Sequence, residues 1–128
     1  MSIKFEWNDL FSVDNGELDS QHKGMFDLAN SIENGLGEEQ IKKNIIDLYK
    51  YTREHFVTEE QMMRKTKYPK FDEHQRLHKE LIVKLDKIST KSFTEESVFS
   101  FMTFIYDWLT HHILDKDKDF ARFVQDHG

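Results

Sequence analysis

Cysteine is absent from the 128 residues, which excludes disulfides, thiolate catalysis, iron–sulfur clusters and cysteine-ligated zinc. Its absence suits a cytosolic protein. Proline occurs once and glycine five times, while 33% of residues are charged. That scarcity of breakers favours long helices over many short strands. No apolar run approaches the ~18 residues that a membrane span needs. The opening MSIKFEWNDLF lacks the apolar core of a signal peptide, so a cytoplasmic location without membrane contact is expected. Positive charge is in deficit, with 24 acidic residues against 18 basic and a net charge of −6. This argues against nucleic acid or an anionic membrane as a partner. No internal repeat or low-complexity segment is present. The length is that of one ordinary domain, taken as 1–128, large enough to bury a core without staples.

What is present is a run of amphipathic segments. Residues 1–17 have no clear period, but Phe5, Trp7, Leu10, Phe11 and Val13 predict an arm packed on the domain. Asp14-Asn15-Gly16 is a turn signal. A first helix is expected over 18–36, with His22, Met25, Phe26, Ala29, Ile32 and Leu36 on its inner face. Gly35 and Gly37 bracket its end. A second is expected over 38–64, its stripe Ile41, Ile45, Leu48, Thr52, His55, Glu59 and Met62 following a heptad-like alternation. A third, over 69–89, starts near Pro69 and carries Phe71, His74, His78, Leu81, Leu85 and Ile88. A fourth, over 94–116, is capped by Ser92 or Thr94 and carries Val98, Phe101, Ile105, Trp108 and His112. The remainder, 117–128, is expected to form a short helical turn over the bundle end. Such segments predict an all-α, antiparallel up-down-up-down four-helix bundle.

The chemistry-bearing residues fall on these inner stripes. His55 and Glu59 are four apart, as are His74 and His78, so each pair shares one helix face. A helix, a turn at Lys65–Pro69 and a returning helix bring the two pairs to one height. The bundle topology puts His22, at the start of the first helix, and His112 and Asp117, at the end of the fourth, at that same end. His112 and Asp117 are five apart, a rotation of ~500° on an ideal helix. They converge only if the helix ends, bends or bulges there. A lone histidine on an apolar face is usually a hydrogen-bonded core residue. Five imidazoles and two carboxylates at one level are a different matter, because burying them unpaired costs several kcal/mol each. The predicted ligand set is therefore His22, His55, Glu59, His74, His78, His112 and Asp117. His111, with Asp115, forms a rival pair, but the stripe selects position 112 and places His111 on a flank. Asp19 reads as a helix-start acid favoured by the dipole, and His127 as a solvated tail residue. Phe56, Phe101, Tyr106 and Trp108 read as packing that keeps the pocket dry.

Seven ligands exceed the capacity of one ion, so two ions bridged by the carboxylates are expected. Imidazole with carboxylate favours iron. The oxygen-activating di-iron bundles use four Glu with two Glu-x-x-His motifs, and this chain has no Glu-x-x-His. Fewer anionic ligands stabilise high-valent iron less, which points to reversible O₂ binding rather than activation. The alternatives are a di-iron oxidoreductase acting on peroxide or NO, and an O₂ or redox sensor.

The pattern His22, His55-x-x-x-Glu59, His74-x-x-x-His78, His112-x-x-x-x-Asp117 resembles the hemerythrin signature. The flanking LDSQHK and WLTHHI segments are similar too, and the size is that of a single-domain bacteriohemerythrin. The resemblance implies a non-haem di-iron protein of oxygen transport, storage or delivery rather than an enzyme. It implies one iron held by His74, His78 and His112, and a second by His22 and His55 with a position left for O₂. Glu59, Asp117 and an oxo or hydroxo group would bridge them. A monomer, with an oxygen-using enzyme as possible partner, completes the expectation.

Overall fold

The protein is an all-α four-helix bundle with an N-terminal arm and a helical C-terminal extension. The structure, a computed structural model, describes residues 4–32, 37–88 and 95–127. The expectations for Gly35, Leu36, Ser89, Ser92 and Thr94, and for the side chains of Ile88 and His127, lie outside the described residues.

Helix α1 spans Gly16–Asn30 and is capped by Asn15, whose side chain accepts from the Leu18 amide at 3.0 Å. It starts two residues earlier than the apolar stripe suggests, because the cap rather than the stripe sets a helix start. The arm is pinned at both ends. Phe5 N donates to Asn30 Oδ1 at 2.7 Å, and Asn30 Nδ2 donates to Phe5 O at 2.8 Å. Val13 N and Ser12 Oγ donate to the two carboxylate oxygens of Asp19 at 2.8 and 2.6 Å. Asp19 thus ties the arm to α1, beyond its favourable place near a helix start. Phe5, Phe11 and Val13 are buried, whereas Leu10 is exposed.

Helix α2 spans Glu38–Thr66, with Glu38 and Glu39 in its first turn and Arg64 and Lys65 in its last, the charge order that suits the helix dipole. Its last turn closes on Lys67 at φ 57°. The Tyr68 amide bonds back to Met63 O at 3.0 Å, the six-to-one bond of a Schellman cap. Pro69 lies in this turn, and α3 starts at Phe71 and runs to Ile88. The buried residue ending the α2 stripe is Met63, not Met62. A straight helix drifts ~20° per heptad, so over the three heptads from Ile41 the inward direction moves by one position.

Helix α4 spans Glu95–His111, a π-helical turn spans His112–Asp117, and α5 spans Lys118–His127. The expected short turn at the C-terminus is thus a ten-residue helix continuing α4. Buried apolar side chains form two clusters. One runs from Met25, Leu48, Leu81 and Ile105 away to the far end of the bundle. The other joins Val13, Leu18, Met63, Tyr68 and Phe120 near the α2–α3 turn. On α1 and α3 the candidate ligands fall between the two, whereas Phe56 and Ile113 of the first cluster lie among the ligands of α2 and of the π turn.

Candidate metal centre

Each helix delivers its ligands from a buried stripe. Glu59 is fully buried, and His22, His55, His74, His78, His112 and Asp117 are all buried as well. The π turn solves the spacing at the end of α4. Its i→i+5 bonding inserts one residue into the helical repeat, so residues five apart come to the same face. His112 Nε2 then lies 3.2 Å from Asp117 Oδ1. His111 is exposed, and its Nδ1 donates to the Asp107 carbonyl at 2.7 Å.

All seven side chains meet in two groups that share both carboxylates. In the first group, His74 Nε2 lies 2.7 Å from Glu59 Oε1 and 2.9 Å from Asp117 Oδ1. His78 Nε2 lies 3.2 Å from Glu59 Oε1. His112 Nε2 lies 3.0 Å from His74 Nε2 and 3.2 Å from His78 Nε2. For an ion with bonds of ~2.1 Å, neighbouring ligand atoms at right angles sit ~3 Å apart. The observed spacings would fit such a set of ligand atoms. Glu59 touches His74 and His78 but not His112, and Asp117 touches His74 and His112 but not His78.

The second group is His22, His55, Glu59 and Asp117. It uses the other oxygen of each carboxylate. Asp117 Oδ2 lies 3.1 Å from His22 Nε2, and Glu59 Oε2 lies 3.7 Å from His55 Nε2. One group therefore offers five ligand atoms and the other four.

Within the protein alone this layer is poorly satisfied. Both ring nitrogens of His22, both oxygens of Glu59 and Asp117 Oδ1 are buried without a hydrogen bond. Imidazole nitrogens 3.0 Å apart, with lone pairs converging, require a cation or a proton between them. The electrostatics agree. Burial and the Asp117 charge push Glu59 up, yet contacts from His74 and His78 outweigh both and hold its carboxyl down to about 2. Burial raises Asp117 too, but His112, His22 and His74 hold it well below the usual carboxylate range. Burial works to lower His74, and Asp117 and Glu59 overcome it, raising the ring to about 9. Burial dominates at His55 and lowers it to about 4 against the pull of Glu59. Two anionic carboxylates with imidazoles aimed between them form a cation-binding layer.

Outer contacts orient the rings. His55 Nδ1 meets Gln21 Oε1 at 2.6 Å, and His78 Nδ1 meets Glu60 Oε2 at 2.9 Å. An Nδ1–H donated outward leaves the Nε2 lone pair facing inward. Phe56 stacks on His78 with ring centres 3.7 Å apart, and Trp108 stacks on His112 at 4.4 Å. Gln21 and Glu60 escape sequence reasoning. Each adjoins a predicted ligand, but no spacing rule marks an outer partner.

Known proteins resemble the chain over most of its length. The model of the hemerythrin HHE cation binding domain family matches residues 14–124. Myohemerythrin from Riftia pachyptila is 33% identical over 110 residues, covering 85% of this chain and 84% of that protein. A hemerythrin from Sipunculus nudus is 32% identical over 120 residues, covering 94% of this chain and 93% of its own length. Bacteriohemerythrin of Clostridium acetobutylicum is 26% identical over 126 residues, covering 91% and 98%. A crystal structure of a hemerythrin point mutant superposes with a TM-score of 0.83 at 26% identity, covering 92% of this chain and 95% of the other.

Proposed function

The chain belongs to the hemerythrin family, and we propose that it binds O₂ reversibly at a non-haem di-iron centre, for oxygen transport, storage or delivery. The observation that carries the reading is the unequal division of ligands, five atoms against four around shared carboxylates. His74, His78 and His112 would hold one iron and His22 and His55 the other, with Glu59 and Asp117 spanning both. A ferrous iron pair held there would supply the electrons for oxygen uptake and recover them on release.

The chain's own residues do the rest. Glu59 and Asp117 present one oxygen to each group, which fixes the two positions relative to each other. Gln21 and Glu60 hold His55 and His78 in the tautomer whose Nε2 faces inward. Phe56 and Trp108 cover ring faces of His78 and His112, which keeps water from that side. The four-atom side is where a small ligand finds room. We take residues 1–128 as one domain that acts as a monomer and hands O₂ to an oxygen-using enzyme. No described helix is long and apolar enough to cross a membrane.

The test is an anaerobic preparation with two irons per chain, titrated with O₂ while the visible spectrum is recorded, then purged. A charge-transfer band that forms with one O₂ per chain and fades on purging is the expected result. A single conversion to a stable oxidised form would sink the carrier reading. The open four-atom side also admits peroxide or NO, which makes a di-iron oxidoreductase the second reading. It requires steady-state turnover well above the rate of autoxidation.

A further inference from the structure

The two outer partners differ in charge. Behind His55 stands the neutral amide of Gln21, and behind His78 the carboxylate of Glu60. Glu60 follows Glu59 on α2, so it is turned ~100° away from the ligand layer. It lies at the α2–α3 seam and reaches His78 from outside. Its second oxygen accepts from Gln75 Nε2 at 2.9 Å. Gln75 is three residues before His78, one turn away on the same face of α3. Glu60 is thus held at both oxygens, while Phe56 holds the face of the same imidazole. A charged acceptor makes a hydrogen bond roughly twice as strong as a neutral one. It also draws the Nδ1 proton outward, which makes Nε2 the stronger electron donor.

We propose that Glu60 is a positioning residue which, acting through His78, makes the five-atom half of the centre the tighter binder. The centre is then asymmetric twice over. The half with more ligand atoms also has the more electron-rich imidazole. The four-atom half keeps a neutral-backed His55 and the weaker grip. The charge lies on the half with more ligand atoms, so it strengthens holding of the ion without crowding the four-atom side.

The inference rests on reading the cluster as a two-ion centre, and the test separates the two claims. Zinc serves as a redox-silent probe. The full-length chain, with ¹⁵N-labelled histidine, is titrated with zinc against a chromophoric chelator while the His78 and His55 ring nitrogens are followed by NMR. Wild type should bind two zinc ions with unequal constants, the His78 signals moving with the tighter one. Glu60→Ala should weaken that constant about 10–100-fold. Glu60→Gln preserves shape and an acceptor oxygen but removes the charge. It should keep the Nδ1–H form of His78, shift its ¹⁵N resonance, and weaken the tighter constant by a smaller factor. Gln21→Glu places a carboxylate behind His55 and should narrow the gap between the constants. A Glu60→Gln protein with wild-type constants and an unmoved His78 resonance would overturn the proposal while leaving the two-ion centre intact. A wild-type chain that fails to bind two ions would overturn both.

Discussion

Removing the Phe56 ring measures how the ligand layer is held from the side. Phe56 is buried and stacks flat on His78 with an interplanar angle of 3°. Its centre is 5.8 Å from that of His55 and 6.0 Å from that of Trp108. Burying a phenylalanine stabilises by about 1.5–3 kcal/mol, and the stacked pair adds about 0.5–1.5 kcal/mol. An enclosed cavity would raise the cost of Phe56→Ala toward ~5 kcal/mol. The site is not enclosed. Phe56 forms part of the wall of a surface groove of about 350 Å³, together with Val57, Glu60, His78, Lys79 and Val83. Water can enter the vacated volume, so the cavity contribution is small. The expected loss is about 3 kcal/mol. For a domain of this size that is a fall of about 10–15 °C in Tm. Phe56→Leu keeps most of the bulk and loses the stack, so it should cost about 1 kcal/mol. Thermal unfolding of the metal-free chain, followed by circular dichroism, reads both. A Phe56→Ala protein melting within ~2 °C of wild type would refute the packing argument. A loss of ~5 kcal/mol or more would refute the claim that the site drains to the groove.

Four other substitutions probe three separate features. Glu59→Ala removes an oxygen from both groups and should abolish loading of both irons, whereas His111→Ala should retain two per chain. Metal analysis showing the reverse would mean that the end of α4 has been placed in the wrong register. Lys67→Gly relieves a positive φ of 57° and should raise Tm by a few degrees, since the left-handed region costs a non-glycine residue about 1 kcal/mol; a lower Tm would count against the cap. Gly24→Ala gains up to ~1 kcal/mol of helix propensity. A Cβ there would nevertheless meet the Tyr51 hydroxyl, and it would come within 2.7 Å of the ring carbon bearing it. Net destabilisation is expected, and a higher melting temperature would show that Tyr51 moves aside freely.

The helices were legible because their inner faces carry a regular period, and the helical mates of the ligand pairs followed from spacing four. The convergence of His112 and Asp117 was legible only as a condition. Spacing five demanded a break or bulge, but nothing in HILDKD says which, since bulge and bend leave the same sequence trace. Met63 in place of Met62 shows a second limit. A heptad count assumes a supercoiled helix, and α2 accumulates the drift of a straighter one. Helix starts were missed by two residues at α1 and α3 because Asn15 and the Tyr68–Lys70 turn decide them, and those are local hydrogen-bonding matters. The outer partners lay beyond reach for a stronger reason. Gln21 and Glu60 meet rings on other helices, at distances fixed only after the bundle has packed.

The position of the ligand layer explains why the fold and the metal belong to one problem. Five buried polar atoms of His22, Glu59 and Asp117 lack hydrogen bonds. Three of them, His22 Nε2, Glu59 Oε1 and Asp117 Oδ1, still lie within 3.1 Å of an opposite partner, so the unmet cost falls on the other two at about 1–3 kcal/mol each. Apolar packing on both sides of the layer has to carry that deficit, and it does so with side chains that the ions never touch. The clusters around Leu48, Leu81 and Ile105 on one side, and Met63, Tyr68 and Phe120 on the other, hold the four helices in register. That packing brings the ligands to one level. Binding of an ion to the folded chain would satisfy the layer and add to folding stability in proportion.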